Sequence, residues 1–315
     1  GLNESAGVLG EESMSYRFSN HETVPDCIKR VAVEELDKAI EQTQTRTTRR
    51  DEAIHDARVS IKKLRALLRL AQSKRTKDVF AKEMRCYRDA GRLLSEMRDA
   101  AVMIATLDKL IEHYVEQLTL KAFAEFRRPF VKTLHEQYSH LNKPLAEMGR
   151  ILRSARRRVA SWPLKDDGFC AVRQGLKHSY KKGCATMARA QAEPCVETYH
   201  RWRKRVKDLW YQVRLLKVIW PATAKNLADE LERLADFLSD DHDLAILRQR
   251  VLQQSPKDRV QQDALVALID QRRKELEVEA SRLGERIYVE RPKAFVDRFG
   301  VYWRAWSVEV NREAA

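Results

Sequence analysis

The stretch "IHDARVSIKKLRALLRL", residues 54–70, carries two patterns side by side on one predicted helix. Apolar residues recur three and four positions apart, which is typical of a helix with one face against a core. These residues are Ile54, Ala57, Ile61, Leu64 and Leu68. A second row lies one position further along, about 100° around the helix. It consists of His55, Arg58, Lys62, Arg65 and Arg69. The stretch therefore predicts a core-facing seam beside a row of cations.

The same two patterns return in "YHRWRKRVKDLWYQVRLL", residues 199–216, where His200 lies 145 positions after His55. The second seam consists of Tyr199, Trp202, Val206, Leu209 and Val213. The row beside it consists of His200, Arg203, Lys207, Trp210 and Arg214. A further pair of segments, 91–107 and 234–251, matches at an offset of 144 positions. Two matches at nearly one offset predict an internal duplication.

Helical periodicity runs through almost the whole chain, and no apolar/polar alternation of convincing length indicates a strand. We therefore predict an all-α fold, with a first half over 14–160, a linker over 161–168 and a second half over 169–310. Residues 1–13 are interpreted as a non-native remnant or a disordered leader. Breaks are expected at the prolines, including Pro129, and between predicted helices 223–238 and 241–253.

The composition gives 60 Lys and Arg against 46 Asp and Glu, a net charge of +14, which favours a polyanionic partner. No apolar run approaches the roughly 20 residues of a membrane span, so no membrane partner is expected. The five cysteines are odd in number and lack a C-x-x-C pair. They are therefore expected to be free, buried thiols in a reducing cytoplasm.

The charge row of the opening stretch is unusual because it has one sign. Exposed helix faces usually mix signs, and like charges three and four positions apart oppose helix formation. A solvated outer face remains the alternative to anion binding. The row from His55 to Arg69 spans about 21 Å, which suits an extended chain of anionic groups better than one phosphate. Arg173, Lys177 and Lys181 form another basic row at helical spacing.

The order of these motifs resembles that of the CHAD family, the α-helical domain named for its histidines. The resemblance is carried by "HDARVSIKKLRALLRL", "MRDAAVMIATL", "HRWRKRVKDLWYQVRLL" and "HDLAILRQ" in this order, and by "MSYRF" at 14–18. It implies two four-helix-type bundles related by a pseudo-twofold axis, with a basic groove or channel between them. It also implies binding of inorganic polyphosphate and, in some members, association with polyphosphate granules.

The resemblance transfers polyphosphate binding to specific positions of this chain. They are His55, Arg58, Lys62, Arg65, Arg69, Arg173, Lys177, Lys181, His200, Arg203, Lys204, Lys207 and Arg214. Trp210 departs from the family pattern, since a cation is expected there. The first helix, with Glu34, Glu35 and Asp37, is more acidic than its counterpart. Both departures argue against a strictly symmetric anion path.

Two roles stay open for His55 and His200: donation to a phosphate, or a structural hydrogen bond to Asp99 or Asp243. No metal site, cofactor or catalytic residue is predicted, because the sequence lacks a recognisable nucleophile, base or metal motif. The leading hypothesis is therefore a cytoplasmic polyphosphate-binding protein that acts as a granule-associated, targeting or scaffold protein. The alternatives are a nucleic-acid-binding protein, with nucleic acid bound more weakly than polyphosphate, and an enzyme acting on polyphosphate. The sequence leaves the oligomeric state open.

Overall fold

A computed structural model describes residues 16–19, 21–44, 50–114, 120–254 and 259–313. Every regular element within these ranges is a helix, which confirms the predicted all-α fold. The predicted leader over 1–13 lies outside them. The α-helices are α1 Val24–Gln44, α2 Arg50–Leu70, α3 Lys77–Arg92, α4 Ser95–His113, α5 Leu120–Ser139, α6 Asn142–Arg158, α7 Cys170–Ala192, α8 Val196–Leu215, α9 Pro221–Leu252, α10 Arg259–Ile287 and α11 Pro292–Glu313.

Helix α9 is continuous where two helices were predicted, so the expected break near residue 240 is wrong. The polar run "SDDHD" in its middle contains neither Gly nor Pro. The hydroxyl of Ser239 donates to the carbonyl oxygen of Ala235 one turn earlier, so this side chain is satisfied inside the helix. The break expected at Pro129 is also wrong, because this residue lies within α5. Its ring removes one backbone donor there without ending the helix.

Helices α2 and α8 lie at the centre of the molecule. Helix α2 packs against α1, α3, α7 and α8, and α8 also packs against α7 and α9. All ten seam residues predicted on these two helices are buried, with at most 5% of their surface exposed. Burial of the seam fixes the rotation of each helix about its axis, and the neighbouring basic row then takes its position from the seam.

The two halves repeat one pattern of packing. Helix α1 contacts α2 and α6, as α7 contacts α8 and α11, and α3 lies against α2 as α9 lies against α8. Residue pairs repeat too. The Arg58 guanidinium donates to Ser95 Oγ over 3.2 Å, and 144 to 145 positions later Arg203 donates to Ser239 Oγ over 2.9 Å. An internal duplication predicts such pairs, although the duplication itself stays a prediction.

The apolar core does not divide at the predicted linker. A large cluster joins buried residues of α1 and α2 to those of α7, α8 and α11. A second cluster places Met103 and Leu107 of α4 with Leu244 and Leu247 of α9. Each cluster therefore draws on both halves of the sequence, so the halves stabilise one another.

None of the described helices has the length and apolar content that crossing a membrane requires. The five cysteines are free thiols, as expected. Cys27 is buried, but Cys170 and Cys195 are exposed, which corrects the expectation that all five are buried. These two lie at the turns where α7 and α8 begin, outside the apolar seams.

Gly175 is expected to control the close approach of α7 to α2. A Cβ at this position would lie 2.0 Å from the carbonyl oxygen of Leu70, and backbone cannot rotate away as a side chain can. Gly175→Ala is expected to lower the free energy of unfolding by about 1–3 kcal/mol or more. Urea denaturation measures this change. Gly91→Ala is the matched control, because its Cβ would lie 3.7 Å from Ile61. Equal midpoints for both variants would contradict this close packing.

Candidate polyanion-binding site

Cations of the α2 row meet cations of α8 where the two helices cross. At this crossing, the Gln212 side-chain amide of α8 donates a hydrogen bond to the carbonyl oxygen of Ala66 of α2 over 3.1 Å. Asp208 lies beside it and binds two guanidinium groups. Its Oδ1 lies 2.9 Å from Arg69 Nη1, and its Oδ2 lies 3.1 Å from Arg205 Nη1. Arg65 and Lys204 also interact electrostatically with this carboxylate. We call Arg65, Arg69, Lys204, Arg205 and Asp208 the Asp208 cluster.

Positive charge outweighs negative charge in the Asp208 cluster. Burial lowers the pKa of Arg69 to about 10, although Asp208 beside it acts in the opposite direction. The pKa of Arg65 and that of Lys204 are also lowered, chiefly by burial and further by neighbouring cations. Burial raises the pKa of Asp208 despite its arginine partners. One carboxylate therefore leaves an excess of partly dehydrated cations, which an anion would stabilise.

Helices α3 and α7 extend the positive charge around the cluster. Arg88 and Arg92 on α3 are exposed and add to the positive potential at Arg65. On α7, His178 has a lowered pKa, first because of burial and then because of cations that include Lys182, Arg205 and Lys181. The cluster is thus the centre of a cationic surface to which four helices contribute.

The charges on α3 and α9 are opposite at equivalent positions. The offset of 144 that relates Ser95 to Ser239 also relates a basic row to an acidic row. The pairs are Arg85 with Asp229, Arg88 with Glu232, and Arg92 with Asp236. Burial raises the pKa of Asp236, while Lys207 and Arg203 of α8 oppose this rise. The α3 side is therefore positive where the equivalent α9 side is negative, so the two sides are not electrostatically alike.

His200 packs face to face on His242, with ring centroids 4.1 Å apart. Burial, followed by Lys204 and Arg203, lowers the pKa of His200 to about 4. Burial and the neighbouring charges of His200, Arg203, Lys204 and Arg273 lower the pKa of His242 to about 3. Both lowered pKa values favour neutral imidazoles at pH 7. Their Nδ1 atoms are buried without a hydrogen-bond partner in the structure.

Other predicted site residues lie elsewhere or have a defined structural partner. His55 is exposed in a cleft between α2 and α4. Arg173 pairs with Asp297 of α11 over 2.5 Å. The Arg214 guanidinium lies 5.1 Å from the centroid of the Trp210 ring, in a separate cleft. Lys62, Lys177 and Lys207 are half-buried, whereas Lys181 is exposed. The structure therefore gathers Arg65, Arg69 and Lys204 most closely, with Arg203 and His200 next to them on α8.

Three residues at the site were not predicted: Arg205, Asp208 and His242. Arg205 and Asp208 lie on α8 outside the row that was read from the periodicity. The isolated acid within "RWRKRVKD" was a usable signal, since an acid three positions after Arg205 places both on one face. His242 opens the motif "HDLAILRQ", but its contact with His200 of α8 is long-range and could not be read from the spacing.

The described residues contain no group of three or more His, Cys, Asp or Glu side chains arranged to hold a metal ion. With the geometry established, comparison with known proteins becomes informative. The CHAD domain family model matches residues 33–252, more than half of the chain and all four motif segments. The chain therefore belongs to the CHAD family.

The fold is also found among solved structures. The crystal structure of the CHAD domain from the plant Ricinus communis aligns with a TM-score of 0.61 and 18% sequence identity. The alignment covers 85% of this chain and 91% of that chain. At this identity the similarity demonstrates the fold alone. No curated protein matches the chain significantly.

The stacked histidines predict a pH dependence of stability. An unfolded histidine takes up a proton near pH 6.5, whereas the folded pKa of His200 is about 4 and that of His242 about 3. Their contribution to stability is therefore complete above pH 6.5 and is lost as the pH falls towards 4 and 3. His242→Phe, which keeps a stacked ring without a titrating group, is expected to flatten the fall in the free energy of unfolding between pH 7 and 4. Urea denaturation at several pH values measures the free energy of unfolding.

His135→Phe, at an exposed position of α5, is the matched control. Identical pH profiles for the parent and His242→Phe would contradict the lowered pKa values of the stacked histidines.

Proposed function

We propose that this CHAD-family protein binds inorganic polyphosphate across the Asp208 cluster, without chemical conversion. We further propose that it acts in the cytoplasm as a granule-associated, targeting or scaffold protein. The observation that carries the proposal is the convergence of Arg65, Arg69, Lys204 and Arg205 on a single carboxylate. Partly dehydrated cations in this excess gain more from a bound anion than exposed cations do.

An extended anion fits this surface better than a single phosphate does. The basic row of α2 continues for about 21 Å, and Arg88 and Arg92 of α3 add cations beside Arg65. A compact anion would contact one turn of helix and leave the remaining like charges repelling one another. Polyphosphate carries about one charge per phosphate on a thin flexible chain, so it can follow the row and relieve the repulsion along it.

Two arginines of the rows are held in place before any ligand binds. Arg58 donates to the carbonyl oxygen of Gly91 over 2.6 Å and also to Ser95, and Arg203 donates to Ser239. A side chain that is already ordered loses less conformational entropy on binding, by about 0.5–1.5 kcal/mol for each long side chain. The repeated arginine–serine contact therefore favours affinity as well as folding.

The aromatic side chains argue against nucleic acid as the preferred partner. Binding to single strands relies on exposed rings on which bases stack. Trp202 is fully buried, and among the predicted rows only Trp210 places an aromatic ring beside the cations. Duplex DNA would also be too wide to enter the groove that the CHAD resemblance implies. We therefore expect nucleic acid to bind more weakly than polyphosphate at physiological salt.

The site geometry supports binding rather than hydrolysis. Both oxygens of the Asp208 carboxylate are engaged by arginines, Oδ1 by Arg69 and Oδ2 by Arg205, so neither is left to take a proton from an attacking water as a general base must. The two neutral imidazoles stack on each other and their Nδ1 atoms are buried. Neither feature supplies an activated nucleophile, so we propose that the protein retains its ligand unchanged.

The proposal predicts how binding responds to salt. Each neutralised phosphate of a flexible single strand contributes about 0.7 to the slope of log K against log salt. Arg65→Gln and Lys204→Gln are each expected to weaken polyphosphate binding and to reduce this slope by about the same increment. Folding should persist, because both apolar seams are unchanged. Calorimetric titration at several salt concentrations measures affinity and slope together.

Lys274→Gln, at an exposed position of α10, is the matched control and should bind as the parent does. Single-stranded RNA and duplex DNA at equal charge test selectivity in the same titration. Orthophosphate release in the presence of Mg²⁺ is followed in parallel and should stay at the level of buffer. Folded Arg65 and Lys204 variants with unchanged affinity would refute binding at the Asp208 cluster, and tighter DNA binding would favour the nucleic-acid alternative.

Asp208 is expected to compete with the phosphate chain for the same guanidinium groups. Asp208→Asn removes one negative charge while keeping the side-chain volume, so polyphosphate should bind several-fold more tightly. The melting temperature without ligand should fall, because Arg69 loses its charged partner in a buried position. Asp270→Asn, which removes a paired carboxylate on α10, is the control. Weaker polyphosphate binding by the folded Asp208 variant would show instead that the carboxylate orients the arginines for the ligand.

A further inference from the structure

A second cleft of about 430 Å³ lies at the C-terminal end of α8. Tyr16, from the segment before α1, lies at one side of it, and its hydroxyl donates to the Lys63 carbonyl oxygen over 3.4 Å. The Lys63 ammonium lies 4.9 Å from the Tyr16 ring centroid, and Arg214 lies over Trp210. Arg17, Lys217 and Lys225 add cations, and Asp229 and Glu232 add carboxylates. The volume lies within the range of about 300–1,000 Å³ for small-molecule sites.

The duplication offset relates residues of this cleft to residues of the Asp208 cluster. At 145 positions, Arg214 corresponds to Arg69, Trp210 to Arg65 and Lys63 to Asp208. One arginine is thus kept, a second cation is replaced by an indole ring, and the central carboxylate is replaced by an ammonium group. The two ends of the crossing therefore share one framework but present different chemistry to a ligand.

The carboxylates at the edge of the cleft are unsuited to a ligand made of phosphate alone. Asp229 and Glu232 are the positions at which α9 reverses the charge of the basic row on α3. Carboxylates repel phosphate, but they accept hydrogen bonds from sugar hydroxyls and amino groups. The Trp210 indole likewise adds no binding energy for an inorganic anion. A nucleobase, in contrast, can stack on both an indole ring and a guanidinium plane.

We propose that this cleft binds a nucleoside diphosphate or triphosphate. Arg17, Arg214 and Lys217 contact the phosphates, and the base packs against the paired Trp210 ring and Arg214 guanidinium. The carboxylates of Asp229 and Glu232 accept from the hydroxyls of the sugar. This assignment does not depend on polyphosphate binding at the Asp208 cluster, because the two sites have no lining residue in common.

Three probes separate the parts of the proposed ligand: ADP, pyrophosphate and adenosine, each titrated calorimetrically into the full chain. ADP is expected to bind at least about tenfold more tightly than either fragment, since stacking of a base on an aromatic side chain is typically worth this factor or more. Trp210→Leu should remove most of the advantage of ADP over pyrophosphate. Trp220→Leu is the matched control, because Trp220 is an exposed tryptophan outside the cleft that packs on Tyr302.

Two milder variants distinguish a loss of binding from a loss of folding, one by keeping an aromatic ring and one by removing a single charge. Trp210→Phe should retain part of the preference for ADP, and Lys217→Gln should weaken ADP and pyrophosphate alike. Thermal unfolding of each variant establishes that the folded chain is being titrated. Equal affinity for ADP and pyrophosphate would overturn the proposal and assign the cleft to phosphate alone. Absence of ADP binding to the folded parent, or an unchanged ADP preference in folded Trp210→Leu, would overturn it as well.

Discussion

Asp208 joins the two central helices through their charges, with Arg69 of α2 on one oxygen and Arg205 of α8 on the other. Without a carboxylate at this point, Arg65, Arg69, Lys204 and Arg205 would face one another with no counterion in a partly buried position. Like charges at such distances in a medium of reduced polarity oppose the packing of α2 on α8. The central contact of the fold therefore depends on the residue that also limits the affinity of the site for anions.

The apolar seams explain why this arrangement persists despite its charge. Five buried residues on α2 and five on α8 contribute the hydrophobic free energy that holds the helices against their neighbours. Gly175 lets the backbone of α7 approach the end of α2, and both apolar clusters take residues from each half. The favourable free energy of packing comes from the whole molecule, so it outweighs an electrostatic repulsion that is confined to one surface.

The sequence predicted those features that depend on local periodicity. The seams, the adjoining rows and the helical class follow from spacings of three and four residues, and the structure agrees with them. The continuity of α9 was missed because the polar run "SDDHD" was interpreted as a break. The run contains neither Gly nor Pro, and the Ser239 hydroxyl forms its hydrogen bond within the helix. The spacing of Arg205 and Asp208 within α8 was a local signal that the charge rows did not include. Asp208 and His242 matter through their contacts with Arg69 and His200 on other helices, which no periodic pattern encodes. The cleft beside Trp210 was missed for the same reason, since Tyr16 reaches it from outside the helices.

The reversed charges on α3 and α9 give the two halves different roles on one framework. The arginine–serine contacts of Arg58 and Arg203 are equivalent, so the backbone positions of the rows correspond closely. At the same register α3 presents Arg85, Arg88 and Arg92, whereas α9 presents Asp229, Glu232 and Asp236. An anion bound at the centre, as proposed, would be attracted towards one side and repelled from the other, so its path would be directed rather than symmetric. The acids of α9 also lie near the cations of α8, where they reduce the repulsion among those cations. On the proposed assignments, this charge difference separates a surface suited to phosphate alone from one that also carries hydrogen-bond acceptors and an aromatic ring.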